Sequence, residues 1–304
     1  MIMERMGKEL FLPANYIARL AKTASYQYKS YKINKHGGGT RTIEHPSRRL
    51  KPLQKWLLAN VIEAWPVHHS ATAYRKGISI LDNAKRHVGS AYLLRMDMKE
   101  FFPSLRSDDL RTYKEKRPTL FRDWTEEDFT WFLFLVFRHD RLTIGAPTSP
   151  AISNAFCFDL DVRLDGMSQS HGVTYTRYAD DLFFSTSEKN LLAEIEPQVK
   201  TALGSLDLPR NLSVNEDKTR HSSKKGARRV TGIVLGSDGQ THVGRKLKRA
   251  VRSEIHKLDT LSPEQRSRLA GIISYIIGFE PEFMNALIEK YEYDTAIRAR
   301  YGSP

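Results

Sequence analysis

The sequence has very little cysteine: Cys157 is the only one among 304 residues. A disulfide within the chain is therefore excluded, which fits a protein of a reducing compartment. The chain also lacks any apolar run near the roughly eighteen residues that a membrane-spanning helix needs. Its first residues, Met1 to Met6, do not form the apolar segment of a signal peptide. We therefore expect a cytoplasmic protein with no membrane partner.

Acidic residues are scarce relative to basic ones. The chain has 48 Lys and Arg against 35 Asp and Glu, a net charge of +13, and an excess of this size favours a polyanionic partner. The excess is concentrated, since residues 218–257 hold twelve basic and two acidic residues, and residues 22–55 hold nine and one. Two basic regions that flank a nearly neutral or acidic centre suit an enzyme that binds phosphate backbones around a metal site.

Two adjacent aspartates, Asp180 and Asp181, lie between apolar runs that predict strands, Val173–Tyr178 and Leu182–Phe184. Adjacent like charges need a counter-charge, and a divalent cation is the usual one. Taken alone, the pair is more typical of an ordinary hairpin turn, because aspartate favours turns. A third carboxylate, Asp97, ends another predicted buried strand. Together the three predict a site for two Mg²⁺ ions, which would stabilise the attacking and leaving oxygens of a phosphoryl transfer.

The N-terminal third predicts short helices followed by a hairpin over residues 26–45, with its turn at His36–Gly39. On this hairpin, Lys32 and Arg41 are predicted to contact an incoming triphosphate, and the alternative is a solvated basic hairpin. An amphipathic helix is predicted over Lys51–Ala64. Farther on, Asn83 and His87, taken alone, indicate a polar turn with a core histidine.

Two further features lie between Asp97 and Asp180 in the sequence. Phe102 follows Asp97 by five positions, and its ring could exclude a ribose 2′-hydroxyl or simply pack in the core. The loop Gly145-Ala146-Pro147 precedes a helix for which Ser149 is the predicted N-cap. A helix N-terminus behind a glycine loop can face a phosphate or a template base.

The C-terminal part predicts a strand over Val230–Gly236, a hairpin at Asp238-Gly239 and then helices. The helix Arg245–Leu258 has one apolar face and several basic ones. A further helix is predicted to start at Ser262, and a last one to run from about Pro281 to the end. We predict three regions, formed by residues 1–90, 91–220 and 221–304.

The order of these motifs resembles that of bacterial retron reverse transcriptases. The resemblance covers most of the chain from Tyr26 onward and rests on five segments: Asn83-Ala-Lys-Arg-His87, Asp97 with Phe102, Gly145–Pro150, Tyr178-Ala-Asp-Asp181 and Val230-Thr-Gly232. It implies an α+β right-hand polymerase fold with fingers, an antiparallel palm sheet and a helical thumb. The three predicted regions would then be an N-terminal region with fingers (residues 1–90), a palm with interleaved fingers helices (residues 91–220) and a primer-grip hairpin with a helical thumb (residues 221–304). One departure is Leu142-Thr143-Ile144, where many relatives have Leu-Pro-Gln, so the role of that glutamine is not carried over.

The resemblance also assigns roles to residues. It implies Asp97, Asp180 and Asp181 as catalytic residues, which with Met98 are the predicted metal ligands, and Lys218 as the general acid. Nucleotide binding is implied for Phe102, as a steric gate, and for Gly145, Ala146 and Pro147, beside Lys32 and Arg41. The implied RNA-binding residues are Asn83, His87, Arg228, Arg229, Val230, Thr231, Gly232, Arg245, Lys246, Lys248, Arg249 and Arg252.

The implied reaction is RNA-directed DNA synthesis from dNTPs. The enzyme would extend DNA from the 2′-hydroxyl of a guanosine in its cognate msr–msd RNA and leave an RNA-linked single-stranded msDNA. Family members act in phage defence with a separate effector protein. The alternatives are a group II intron-like or diversity-generating reverse transcriptase and a non-catalytic RNA-binding scaffold. The three intact acids argue against a scaffold.

Overall fold

The structure is a computed structural model that describes residues 2–34 and 38–301. The predicted turn at His36–Gly39 lies partly outside these residues. The chain forms two compact units, the first with residues up to 78, 94–184 and 189–221, and the second with residues 79–93, 185–188 and 222 onward. The predicted domain boundaries near residues 90 and 220 stay predictions. No helix in the described part of the chain combines the length and apolar content that crossing a bilayer requires.

The helices are α1 (Ile2–Leu10), α2 (Ala14–Lys22), α3 (Leu50–Asn60), α4 (Ile80–Lys85), α5 (Phe101–Ser104), α6 (Ser107–Lys116), α7 (Glu126–Val136), α8 (Ser149–Phe156), α9 (Phe158–Ser170), α10 (Leu191–Gly204), α11 (Arg245–Ile255), α12 (Pro263–Phe279), α13 (Glu282–Tyr291) and α14 (Tyr293–Tyr301). The strands are β1 (Tyr28–Asn34), β2 (Thr40–Pro46), β3 (Tyr92–Met98), β4 (Thr174–Tyr178), β5 (Asp181–Thr186), β6 (Val214–Ser223), β7 (Arg228–Val230), β8 (Ile233–Leu235) and β9 (Thr241–His242).

A four-stranded sheet in the order β4-β5-β3-β6 carries the predicted palm motifs. Neighbouring residues of β3 and β5 are buried together, as Leu93 and Leu94 are in β3 and Leu182 and Phe183 in β5. Because successive strand side chains point to opposite faces, such runs mean that both faces of the sheet are covered here. The sheet is therefore a rigid support for residues at its strand ends.

A buried ion pair joins β4 to the helices behind it. Arg177 and Asp161 are both fully buried, with Nε–Oδ1 and Nη2–Oδ2 distances of 2.8 and 2.7 Å. The Tyr175 hydroxyl donates to Asp161 Oδ1 at 2.8 Å. Arg177 Nη1 donates to Asn154 Oδ1 at 3.2 Å and to the Ala179 carbonyl at 3.3 Å. One guanidinium thus fixes β4, α8, α9 and the residue before Asp180.

The predicted N-terminal hairpin is confirmed, as β1 and β2 pair antiparallel with Lys32 opposite Thr42. Its base is attached to the loop before α8, because the Glu44 N–H donates to the Ile144 carbonyl at 2.8 Å. Gly145 follows with φ +123°, and a Cβ there would lie 2.8 Å from the Glu44 carbonyl oxygen. Only glycine fits such a close approach with that backbone conformation.

Ser149 does not cap α8, so that prediction is wrong. The helix begins at Ser149 itself and Thr148 precedes it without a side-chain cap. The Ser149 hydroxyl instead accepts the Thr143 N–H at 3.3 Å. This bond closes the Gly-Ala-Pro loop, because it joins residues on its two sides. Pro150 lies in the first turn of the helix.

The second unit contains the small sheet β7-β8-β9 and the helices α11 to α14. The predicted continuous strand Val230–Gly236 is wrong, because Thr231 and Gly232 have positive φ angles of 49° and 88° and form the turn between β7 and β8. Two positive φ angles are typical of a tight hairpin turn. The single last helix is also wrong: Glu292, with φ 64°, separates α13 from α14. Ser262 caps α12 with Gln265 as partner, which confirms the predicted start.

We predict that Arg177→Met lowers the free energy of unfolding by about 3–5 kcal/mol, because it leaves the buried Asp161 carboxylate without its cation. Urea denaturation measures the loss. The control is Lys76→Ala, since the Lys76 to Glu63 pair is exposed and such pairs often contribute nothing measurable. Adding Asp161→Leu to Arg177→Met should restore much of the lost stability, because no buried charge then remains. A loss no larger than the control's contradicts the assignment.

Candidate active site

A cleft of about 610 Å³ opens in the first unit between the N-terminal hairpin and the ends of the sheet strands. It brings together several residues that are far apart in sequence. The sequence-predicted residues among its lining are Arg41, Asp97, Met98, Phe102, Asp180 and Lys218. Lys32, Asp181, Gly145, Ala146 and Pro147 do not line it, although Asp181 and Gly145 directly follow lining residues.

The strand ends bring two of the acids, Asp97 and Asp180, to the same cleft. Asp97 lies near the end of β3, and Asp180 lies at the tip between β4 and β5. The Met98 N–H donates to the Asp180 carbonyl at 2.8 Å, which joins the two segments. Ala179, just before Asp180, has a left-handed backbone with φ 56°, a conformation that costs energy for a residue other than glycine. The tip is therefore held in place by its contacts on both sides.

The pKa values of Asp180 and Asp181 are raised, which indicates that the site has too little positive charge to balance its carboxylates. Burial raises the pKa of Asp180, and the nearby Asp97 carboxylate raises it further. Burial raises the pKa of Asp181 to about 6, although the Arg95 guanidinium opposes the shift. Both shifts mean that the ionised forms are costly as they stand, so a bound cation would be favoured.

Two side chains now act as counter-charges. Lys218, from β6, places Nζ 2.8 and 3.0 Å from the two Asp97 carboxylate oxygens. Arg95 Nε and Nη2 lie 2.9 and 3.1 Å from the Asp181 carboxylate oxygens. Sequence analysis missed Arg95, although it lies two residues before Asp97 and therefore on the same face of β3.

The donor set suits a hard divalent cation, because all its side-chain ligands would be carboxylate oxygens. The three acids do not yet converge on one point: among residues 2–34 and 38–301, the group of such side chains with ligand atoms within 4.8 Å of one another is His68, His69 and Asp165. Asp97 and Asp181 each point to a basic partner instead. Mg²⁺ would replace these partners as the counter-charge.

Two aromatic residues border the acids. Phe102 and Tyr74 both line the cleft, with ring centroids 6.3 Å apart. Tyr74 is half-exposed and has a left-handed backbone with φ 61°. Burial of its ring raises the pKa of Tyr74 to about 12, and the negative charge of Asp180 contributes. Sequence analysis did not single out Tyr74, because nothing in its local pattern distinguishes it from a core aromatic.

The predicted RNA-binding residues separate into buried and exposed sets. The buried ones are Asn83, His87, Arg228 and Val230. His87 Nδ1 lies 2.8 Å from the Ser185 hydroxyl, and burial lowers the pKa of His87 to about 3, which confirms the core-histidine interpretation. Arg228 donates to the carbonyls of Leu235 and Gly236 at 3.2 and 2.9 Å. Arg228 thus supports the small sheet. Because all four side chains are buried, we do not propose that they contact RNA directly.

The exposed set lies mainly on α11. Arg245, Lys246 and Arg249 are exposed, as are Arg229 and Gly232 on the hairpin, and Thr231, Lys248 and Arg252 are half-buried. Lys248 pairs with the buried Glu280 carboxylate, and Arg252 lies over the Phe283 ring, with its guanidinium carbon 5.5 Å from the ring centroid. Lys248 and Arg252 therefore stabilise the helical bundle, and three basic residues remain on the outer face of α11.

Comparison with known proteins identifies the fold and family. Residues 33–235 match the family model described as reverse transcriptase (RNA-dependent DNA polymerase). The chain is 34% identical to the retron Ec83 reverse transcriptase of Escherichia coli, with 88% of each chain covered. It is 29% identical to the retron Ec86 reverse transcriptase of the same species, with 98% of this chain and 89% of that one covered.

Solved structures agree at the level of the fold. A telomerase from Candida albicans, in complex with a fragment of telomeric RNA, superimposes with a TM-score of 0.51 at 12% identity and covers 96% of this chain and 65% of that one. An apo telomerase from Candida tropicalis gives 0.50 at 14% identity, with 94% and 65% covered. The expected right-hand polymerase fold is thus confirmed. The chain belongs to the bacterial retron reverse transcriptases and is an RNA-directed DNA polymerase.

Proposed function

We propose that this polymerase copies part of its own structured non-coding RNA into single-stranded DNA and primes from a 2′-hydroxyl of that RNA. The product would be an RNA-linked msDNA, made from dNTPs with two Mg²⁺ ions. The observation that carries the catalytic part is the single cleft that joins Asp97, Asp180 and Lys218. Family membership supports three further parts of the proposal: a cognate RNA, priming from the 2′-hydroxyl of a guanosine, and a role in phage defence with an effector protein. A cytoplasmic location stays a prediction.

The carboxylates of Asp97, Asp180 and Asp181 would hold the metal ions, and Met98 would supply its backbone carbonyl. Bound Mg²⁺ lowers the pKa of an attacking hydroxyl and neutralises charge that develops on a triphosphate. The protein's own contribution is positioning: the rigid strand ends fix Asp97 and Asp180, and the bond from Met98 N to the Asp180 carbonyl keeps them adjacent. Such preorganisation avoids reorganisation during the reaction.

The basic residues around the cleft would bind the triphosphate and protonate its leaving group. Arg41, on β2, lines the cleft beside the acids, and Lys32 lies on the neighbouring strand of the same hairpin. Lys218 would move from Asp97 and donate a proton to the leaving pyrophosphate. Its side chain is half-exposed, 54% of its surface being accessible, so it has room to reorient.

The aromatic pair would select the sugar. Phe102 would exclude a ribose 2′-hydroxyl, and the Tyr74 ring opposite it would narrow the same space. The loop Gly145-Ala146-Pro147 would support the template and nucleotide from behind, since Ile144 lines the cleft immediately before it. The exposed face of α11 would bind the RNA backbone, because an A-form helix is recognised largely through its phosphates and 2′-hydroxyls.

The alternative functions can be distinguished by the nucleic acid that each protein would make or bind. An intron-type or diversity-generating enzyme would also need the three acids, so the acids do not separate it from a retron enzyme. Nucleic acid that copurifies with the protein does: a branched RNA–DNA molecule supports the proposal, whereas intron RNA without attached DNA contradicts it. A non-catalytic scaffold would yield RNA alone and no extension activity.

We predict that Asp180→Asn raises the Tm of the metal-free protein at pH 7.5 and removes the Tm increase that Mg²⁺ causes. The pKa of Asp180 in the folded protein lies above its ordinary value of 3.8. The Asp180 carboxylate is therefore harder to ionise in the folded than in the unfolded chain, and its ionisation lowers stability as the pH rises above that ordinary value. The gain in Tm should therefore disappear near pH 4. Thermal unfolding with and without Mg²⁺ measures both effects. The matched control is Asp123→Asn, at an exposed aspartate that does not line the cleft.

We predict that Asp180→Asn together with Asp181→Asn abolishes DNA synthesis and leaves RNA binding nearly unchanged. The reason is that neutral amides cannot supply the charge that holds two cations. Primer extension measures synthesis and gel shifts measure binding. Residual full activity in the double variant would end the metal assignment, and loss of RNA binding would show that the acids act on the fold instead.

We predict that replacing Arg245, Lys246 and Arg249 with alanine weakens binding of the copurifying RNA and reduces the slope of log K against log salt by about 2–3, roughly 1 for each phosphate that is left without its cation. Lys248 is kept, because its removal would leave Glu280 short of a partner. The control removes the same charge elsewhere, by replacing the exposed Lys76, Arg163 and Lys189 with alanine. An unchanged slope in the α11 variant would show that this face does not touch RNA.

A further inference from the structure

We propose that His68, His69 and Asp165 form a second metal site, separate from the polymerase cleft, that binds a divalent transition-metal ion of the zinc type. Each of the three side chains offers one ligand atom, and these atoms lie within 4.8 Å of one another. None of the three residues lines the polymerase cleft. All three belong to the first unit.

The ligands come from two segments that meet. His68 and His69 lie in the segment after Pro66, and Asp165 lies on α9. His69 Nε2 is 3.5 Å from Asp165 Oδ2, and the two imidazole centroids are 4.3 Å apart. The His68 ring also packs edge-on against Phe158 at the start of α9, with centroids 5.7 Å apart. The two imidazoles and the carboxylate therefore face a common point.

The carboxylate is oriented by neighbours of its own. The buried Ser70 hydroxyl donates to Asp165 Oδ1 at 3.0 Å, and the Gln169 amide donates to Asp165 Oδ2 at 2.6 Å. Hydrogen bonds of this kind fix the direction of a ligating carboxylate and are typical of built metal sites. A carboxylate that merely faced solvent would not need two such donors.

The donor set selects the ion. Two imidazole nitrogens and one carboxylate oxygen are ligands that zinc accepts readily, whereas Mg²⁺ prefers oxygen ligands alone. Three protein ligands leave one position of a tetrahedral ion for water. The chemistry of this site thus differs from that of Asp97, Asp180 and Asp181, where every side-chain donor is oxygen.

The site lies where a bound ion would join two segments of the first unit. The ion would join the His68–Ser70 segment to α9, and the same segment runs beside β4: the Arg177 N–H donates to the Ser70 carbonyl at 2.8 Å, and the Thr72 N–H donates to the Arg177 carbonyl at 2.8 Å. The segment then leads to Tyr74 in the polymerase cleft. Bound metal would reinforce the attachment of this segment to the strand that carries the aspartate tip.

The test is zinc titration of the untagged full-length protein by calorimetry, in excess Mg²⁺ so that the polymerase site is saturated with its own ion. We expect one zinc ion per chain and a rise in Tm of about 5 °C at saturating zinc. His69→Ala should weaken zinc binding more than tenfold, and Gln169→Leu should weaken it about tenfold through the loss of carboxylate orientation. The control, His171→Ala, removes an exposed histidine outside the group and should bind zinc like the native protein.

The outcomes separate this site from the polymerase site. Asp180→Asn should retain native zinc binding, because Asp180 is not a ligand here. His69 is exposed, so we expect His69→Ala to fold like the native protein, and circular dichroism checks this. Absence of one-to-one zinc binding, native affinity in His69→Ala, or displacement of zinc by Mg²⁺ would each overturn the proposal.

Discussion

The buried guanidinium of Arg177 is the contact on which the catalytic end of the molecule depends. It pairs with Asp161 in a region that water does not reach, and it also donates to the carbonyl of Ala179. A charge pair in such a place contributes little net stability, but breaking it is costly. The ion pair instead fixes geometry, because the planar guanidinium holds β4, α8, α9 and the tip that carries Asp180 in one arrangement. Asp180 and Asp181 directly follow Ala179, so this contact also restricts where their side chains can lie.

The cleft itself combines this rigid support with unfavourable electrostatics. Burial raises the pKa values of Asp180 and Asp181, and the negative charges of the neighbouring acids raise them further. Lys218 and Arg95 oppose these shifts only in part. Stability is thus lower than it would be with amides at these positions, which is common where a site is built for a ligand. Nearby, Tyr74 and Ala179 hold left-handed backbones, so backbone strain and charge repulsion occur in the same place.

The sequence predicted the elements whose signals are local. The hairpin of β1 and β2, the amphipathic α11 and the Ser262 cap follow from alternation, periodicity and capping chemistry. The Thr231-Gly232 turn and the partner of Ser149 were missed, because tertiary contacts decide them. The sequence also failed to predict which basic residues are buried. Arg228 lies in a basic segment and was predicted to bind RNA, but in the fold it is buried and donates to the carbonyls of Leu235 and Gly236. The roles of the site residues remain predictions.

The bond between Glu44 N and the Ile144 carbonyl shows which atoms of residue 144 the fold depends on. It attaches the hairpin to the loop through main-chain atoms alone, and the adjacent Gly145 permits the close approach. The identity of the side chain at position 144 is therefore irrelevant to the anchorage. A polar side chain in place of Ile144 would therefore change what the cleft contacts and leave the main-chain attachment unaltered.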